Sequence, residues 1–200
     1  MNASEFSREL AGKLGKDENQ VRIFDRALAE SGVRKKTGRG RHADDITRQE
    51  AVMLLLAILS GRPATKAARA AVDLSKFDIA IGLSEDALEA FHHAFGVEND
   101  LNSLTSKSLA DLVALLCGRL TTEKLGQDNF VFLCVKDGAT AEFQFQMNWM
   151  PGDRSQRLGL EQEVPFTGLT NISRTSGNYY ESRTATGELL RWIGQVTEPN

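Results

Sequence analysis

Only two cysteines occur in the 200 residues, Cys117 and Cys134, and neither has a partner at CxxC or metal-ligand spacing. Each lies inside an apolar run, LVALLCGRL and FVFLCV, so both are expected to be reduced core residues, with no disulfide framework and no metal site. No stretch approaches the roughly 20 apolar residues that a membrane-crossing helix needs. The N-terminus, MNASEFSREL, lacks the basic-then-apolar build of a secretory signal, so the expected compartment is the cytoplasm. There is no phosphate loop of the GxxxxGKS or GxxxxGKT type, no nucleophile set beside a base, and no spaced carboxylate pair in a glycine-rich or apolar setting. No enzymatic activity and no cofactor are therefore expected. Internal repeats, low-complexity tracts and long linkers are missing too.

What is present is an ordinary globular composition, 41% hydrophobic and 26% charged, which argues against disorder over most of the chain. The net charge of -3 conceals an asymmetry. Residues 1–62 carry twelve Lys/Arg against nine Asp/Glu, while residues 63–200 carry twelve against eighteen. A locally cationic segment suits a phosphate-rich partner whatever the total charge.

The N-terminal part reads as helices. Ser4 can cap a first helix with Phe6, Leu10, Ala11 and Leu14 at helical spacing, and Gly15 suits the position just past its end. Asp17, with Gln20 three residues on, opens a second helix whose stripe is Val21, Phe24, Ala27 and Leu28, running to Gly32. The segment from Val33 to His42 has two glycines, no acidic residue, and five Lys/Arg in ten positions, a pattern for a short hairpin. Thr47-Arg48-Gln49-Glu50 is a capping box ahead of AVMLLLAILS, which predicts a buried spine helix ending at Gly61. Pro63 marks the first turn of a fourth helix, through about Val72. Further helices are expected from Ser84 to Phe95 and from about Ser106 to Leu120. His92 and His93 in the former are expected to be partly buried, hydrogen-bonded residues with no functional role.

From Asn129 the period changes to 2. Asn129–Lys136, Asp137-Gly138 and Ala139–Trp149 predict a hairpin with a type I′ turn, with Phe143, Phe145, Met147 and Trp149 on one face. That aromatic face reads as a sheet core or, alternatively, as a surface that pairs protomers. Leu158–Phe166, Leu169–Arg174 and Asn178–Thr184 are compatible with short strands, and Glu188–Val196 with a helix or a last strand. The expected fold class is α+β. It comprises a winged helix-turn-helix over residues 1–75, a helical connecting segment over 76–122, and a C-terminal antiparallel β-rich domain over 123–200 for dimerisation or partner binding.

Helix, tight turn, helix, basic glycine-containing hairpin, helix is the order of a winged helix, in which the second helix can enter a major groove. Asn19, Gln20, Arg22 and Arg26 fall on that helix, and Asn, Gln and Arg are the residue types that pair bidentately with adenine and guanine edges. Lys35, Lys36, Arg39 and Arg41 fall on the hairpin, where Gly38 and Gly40 allow close approach to phosphates. Taken alone, RKKTGRGR is more often a solvated loop than a nucleic-acid site, and its place between these helices reverses that; Asn19 and Gln20 read equally as capping and solvation of a helix start.

The run QVRIFDRALAESGVRKKTGRGRHADDITRQEAVMLLLAIL resembles the N-terminal DNA-binding domain of MerR-like regulators and the related small winged helices of phage proteins. The resembling features are an Asp-led helix with the pair Val21-Arg22, then Gly32-Val33, a basic glycine-containing wing and a long apolar helix, over about residues 4–75. The resemblance implies DNA contacts from Asn19, Gln20, Arg22 and Arg26 in the helix and from Arg39 and Arg41 in the wing. It implies a phage- or prophage-encoded transcriptional regulator that binds double-stranded DNA sequence-specifically. A homodimer is expected because one short helix and a wing give few base contacts, and no membrane association is expected because no apolar span is long enough. The chain departs from MerR proper in having neither the long antiparallel dimerisation helix nor the cysteine set for metal sensing. The alternatives are a DNA-binding structural adaptor similar to the small subunit of phage terminases, and a non-enzymatic protein-interaction module built on a winged helix.

Overall fold

The computed structural model describes residues 1–35, 44–79, 107–122, 130–136, 140–149, 158–167 and 182–197. In the strands 140–149 and 158–167 it describes the backbone alone. Helix α1 spans Ala3–Leu14 and α2 spans Glu18–Glu30. The cap of α1 is Asn2 and not Ser4. The Asn2 side chain accepts from the Glu5 N–H at 2.9 Å while its extended backbone forms a β-bridge with Asp45, which starts the helix early. Gly15 ends α1 at φ 61, a left-handed conformation that lets the Lys16 N–H return to the Ala11 carbonyl at 2.9 Å. Asp17 caps α2 by accepting from the Gln20 N–H at 3.1 Å. Lys16 alone separates the two caps, so the turn is as tight as the spacing predicts.

Helix α3, Arg48–Leu59, begins with the expected capping box and is the expected spine, with every residue from Ala51 to Leu59 buried. Pro63 takes the cap position of α4, Ala64–Ser75. Helix α5, Leu109–Thr122, starts later than the expected Ser106 because Ser108 and Asp111 close its first turn, Ser108 Oγ donating to Asp111 Oδ2 at 2.6 Å. Helix α6 is Gly187–Val196, capped by Thr186, so the last apolar segment is helical. Among the described residues, no single helix is long and apolar enough to cross a membrane. The expected helix 84–95, with His92 and His93, and the expected strand 169–174 lie outside the described residues.

The strands are β1 (Asp78–Ile79), β2 (Phe130–Lys136), β3 (Thr140–Trp149), β4 (Leu158–Thr167) and β5 (Ser182–Thr186). Their backbones pair antiparallel in the order β1-β4-β3-β2-β5, with Lys136 opposite Thr140 in the predicted hairpin. The class expected from this pattern, α+β with a C-terminal antiparallel β-rich domain, is nevertheless corrected. Where side chains are described, the protein is 71% helical and carries only a two-stranded sheet. That sheet is β2 against β5, with Leu133 opposite Ala185. Its inward residues Leu133, Val135 and Ala185 enter the same core as the N-terminal helices and build none of their own. Period-2 alternation predicts extended backbone with one buried face; it does not say what covers that face. Here the cover is helical.

The C-terminal helix completes this body. Gly194 of α6 lies directly on the Cys117 carbonyl of α5, with no room for a Cβ. The Arg191 Nε–H donates to the Leu120 carbonyl at 3.0 Å, satisfying an end of α5. On the other side, the Trp192 ring stacks on Phe6 of α1 with centroids 5.1 Å apart and an interplanar angle of 15°, and Lys13 Nζ stands 4.9 Å from its centroid.

Two glycine substitutions should therefore have opposite signs. Gly194→Ala forces a methyl group into the α5 backbone and is expected to cost at least about 1–3 kcal/mol. Gly12→Ala, at an exposed helical position with nothing within 4 Å of the added Cβ, is expected to gain about 0.5–1 kcal/mol. Urea denaturation of both variants tests the packing; equal effects would refute the close α5–α6 contact.

Candidate nucleic-acid interface

Helix α2 is amphipathic by its spacing, with Val21, Phe24, Leu28 and Ala29 turned to the core. At 3.6 residues per turn, Asn19, Ile23, Arg26 and Glu30 then share one outward stripe, with Arg22 beside it. All five are exposed. Gln20, also exposed, falls on the flank with half-buried Ala27, away from that stripe. The structure thus brings Asn19, Arg22 and Arg26 onto one face and sets Gln20 apart. Arg22 Nη2 lies 2.8 Å from Glu18 Oε1, an exposed pairing of the kind that exchanges readily with solvent or another anion. Arg26 has no ion-pair partner among the described residues.

Ile23 is missing from the sequence-based candidates. It is 53% exposed, the one large hydrophobic side chain left open among the described residues. The signal was available: Ile23 lies four residues after Asn19 and three before Arg26, outside the inward stripe.

The segment that follows α2 is held firmly at both ends. At the near end Arg34 is 7% exposed, its Nη2 donating to Asp25 Oδ2 at 2.9 Å and its Nη1 to the Lys35 carbonyl at 3.0 Å. Arg34 Nε also lies 2.7 Å from Asp25 Oδ1, a close charge contact without hydrogen-bond alignment. Glu50 joins the two ends. Its Oε1 accepts from the Lys35 N–H at 3.1 Å, and its Oε2 from the Thr47 N–H at 2.9 Å and the Thr47 hydroxyl at 2.8 Å. At the far end the Ile46 N–H donates to the Met1 carbonyl at 3.0 Å. Lys35 is exposed, whereas Lys36, Arg39 and Arg41 lie outside the described residues. Arg34, one of the five cations of this run, is buried in its ion pair and unavailable to an outside anion.

These carboxylates are shifted in opposite directions. Burial raises the Asp25 pKa above its ordinary 3.8 and outweighs the attraction of Arg34. Glu50 is also pushed upward by burial, but its hydrogen bonds from Thr47 and Lys35 and the Arg34 charge prevail and lower it below 4.5. Asp25 holds the Arg34 guanidinium, and Glu50 holds the backbone N–H groups of Lys35 and Thr47. Burial pushes the Cys117 thiol up to about 12, against the pull of Arg48, so it is not a nucleophile at neutral pH. Cys134 is buried, its Sγ 3.3 Å from Thr184 Oγ1. Among the described residues no three His, Cys, Asp or Glu side chains gather as metal ligands.

Asp25→Asn leaves a buried guanidinium without its counter-charge and is expected to cost about 3–5 kcal/mol in urea unfolding. For Glu50, whose folded pKa is depressed, the stabilisation is present above the unfolded value of 4.5 and lost as pH falls through the folded one. The stability gap between wild type and Glu50→Gln should therefore narrow on acidification below that value; a gap constant with pH would argue against the clamp.

Comparison with family models, with curated proteins and with solved structures gives no match to this chain.

Proposed function

We propose that this chain binds double-stranded DNA through residues 1–75, as a homodimeric, sequence-specific transcriptional regulator. The outward face of α2 lies against base edges, and the basic segment after it lies along the phosphates. The observation that carries this reading is the single face on which Asn19, Arg22 and Arg26 stand, on a helix tied by Asp25 to the root of a segment rich in Lys and Arg. A helix of about 20 Å can lie in a major groove about 12 Å wide, and Asn and Arg suit its adenine and guanine edges. Lys35, Lys36, Arg39 and Arg41 supply affinity without sequence preference. Two copies are needed because one short helix and one basic segment make few base contacts.

Binding to random duplex DNA across a salt series tests the phosphate role. Joint replacement Arg39→Ala and Arg41→Ala should lower the slope of log affinity against log salt by about 2, at roughly 0.9 per phosphate contact. An unchanged slope would sink it. Arg22→Ala should reduce preference for a selected duplex over a random one by about tenfold, within the range of one good bidentate base contact. Equal losses on both duplexes would count against base readout.

A further inference from the structure

The positive charge of this chain has a second centre, apart from the basic segment after α2. Residues 62–76 carry four Lys/Arg against one Asp, whereas residues 1–61 carry eleven against nine and residues 77–200 nine against seventeen. Within α4 the charge is sorted by face. Ala67, Ala68, Ala71 and Leu74 are buried, while Lys66, Arg69 and Asp73, at three- and four-residue steps on the opposite side, are exposed. Arg62 and Lys76, also exposed, flank this stripe at its two ends. The outward face of α2, by contrast, sets Arg22 and Arg26 against Glu18 and Glu30.

The order of the charges on α4 is not the one that would steady the helix. The N-terminus is the positive end of a helix dipole, yet the first turn of α4 holds Lys66 and no acidic residue, and no side chain caps it. Asp73 stands in the last turn, where a cation is favoured, and Arg69 precedes Asp73 in the weaker of the two i,i+4 directions. Arg69 Nε lies 3.7 Å from Asp73 Oδ2, on side chains 89% and 60% exposed, a pairing that exchanges readily with another anion. A cationic face that opposes the dipole of its own helix, on a chain of net charge -3, is complementary to a polyanion.

We infer that the outward face of α4 is a second phosphate-binding surface for double-stranded DNA, with Lys66, Arg69 and Lys76 as its contacts. The inference rests on the DNA-binding reading and extends its footprint from α2 and the basic segment to α4, which packs beside α2 on α3. Lys66 and Lys76 are ten residues apart, about 15 Å along the helix axis, a distance over which one strand of a duplex presents several phosphates at about 3.4 Å of axis each. Contacts of this kind add affinity and fix orientation without choosing a sequence.

Binding to a random duplex across a salt series tests the surface. Joint replacement Lys66→Gln and Lys76→Gln should lower the slope of log affinity against log salt by about 2, at roughly 0.9 per phosphate contact. Arg8→Gln with Lys16→Gln removes the same charge from α1 and should leave the slope unchanged. Asp73→Asn, which takes away the one acidic group of the face and frees Arg69, should tighten binding by up to about fivefold, the range of one exposed charge pair. The thermal midpoint of Lys66→Gln should not fall, because the lysine opposes the dipole of its helix. An unchanged slope in the α4 pair, or an equal fall in the α1 pair, overturns the α4 surface and leaves DNA binding through α2 and the basic segment standing. A wild-type protein that binds no duplex overturns both.

Discussion

The fold depends on the need to cover α3 on every side. A helix that is apolar all round cannot rest on a surface, because any uncovered side leaves aliphatic area in water. The nine consecutive buried residues from Ala51 to Leu59 are therefore surrounded by α2, α4, α5, α6 and β5. Elements from both halves of the chain are needed to do this, and the return of α6 and β5 follows from it. The fit of Gly194 on the α5 backbone is the local form of the same demand: two layers around α3 have to approach closely, and a single methyl group would hold them apart.

Electrostatics act on top of that packing at one place. Asp25, Arg34 and Glu50 lie between α2, the start of the basic segment and α3; Arg34 joins Asp25 to the Lys35 carbonyl, and Glu50 joins Lys35 to Thr47. A buried ion pair of this kind is poor evidence for extra stability, since desolvation consumes most of its attraction. What it provides is position. The guanidinium can lie only where the Asp25 carboxylate and the Lys35 carbonyl both meet it, and that fixes the direction in which the chain leaves α2.

Much of the helical part was legible because its signals are local. Gly15 past α1, Asp17 before α2 and the Thr47/Glu50 box each act within four residues, and each is found where the spacing places it. The outward positions of Asn19, Arg22 and Arg26 follow from the inward stripe of the same helix. The features that were missed are those that depend on distant partners. Asn2 displaced Ser4 as a cap through a bridge to Asp45, and Arg34 was turned from a surface cation into a buried one by Asp25, nine residues away. The alternation around Leu133 and Ala185 identified strands but could not reveal that helices, and not a second sheet layer, receive their inward side chains. Ile23 was hidden for another reason: an apolar residue beside Phe24 is readily counted as core unless the helix is followed around its full turn.

The stacking of Phe6 on Trp192 brings together residues 186 positions apart, a separation near the length of the chain. Contacts that close so long a loop form late, after the entropy of the intervening chain has been spent on nearer pairings. Until the segment bearing Trp192 is in place, the face of Phe6 that it covers stays open, so loss of α6 exposes an aromatic surface on α1.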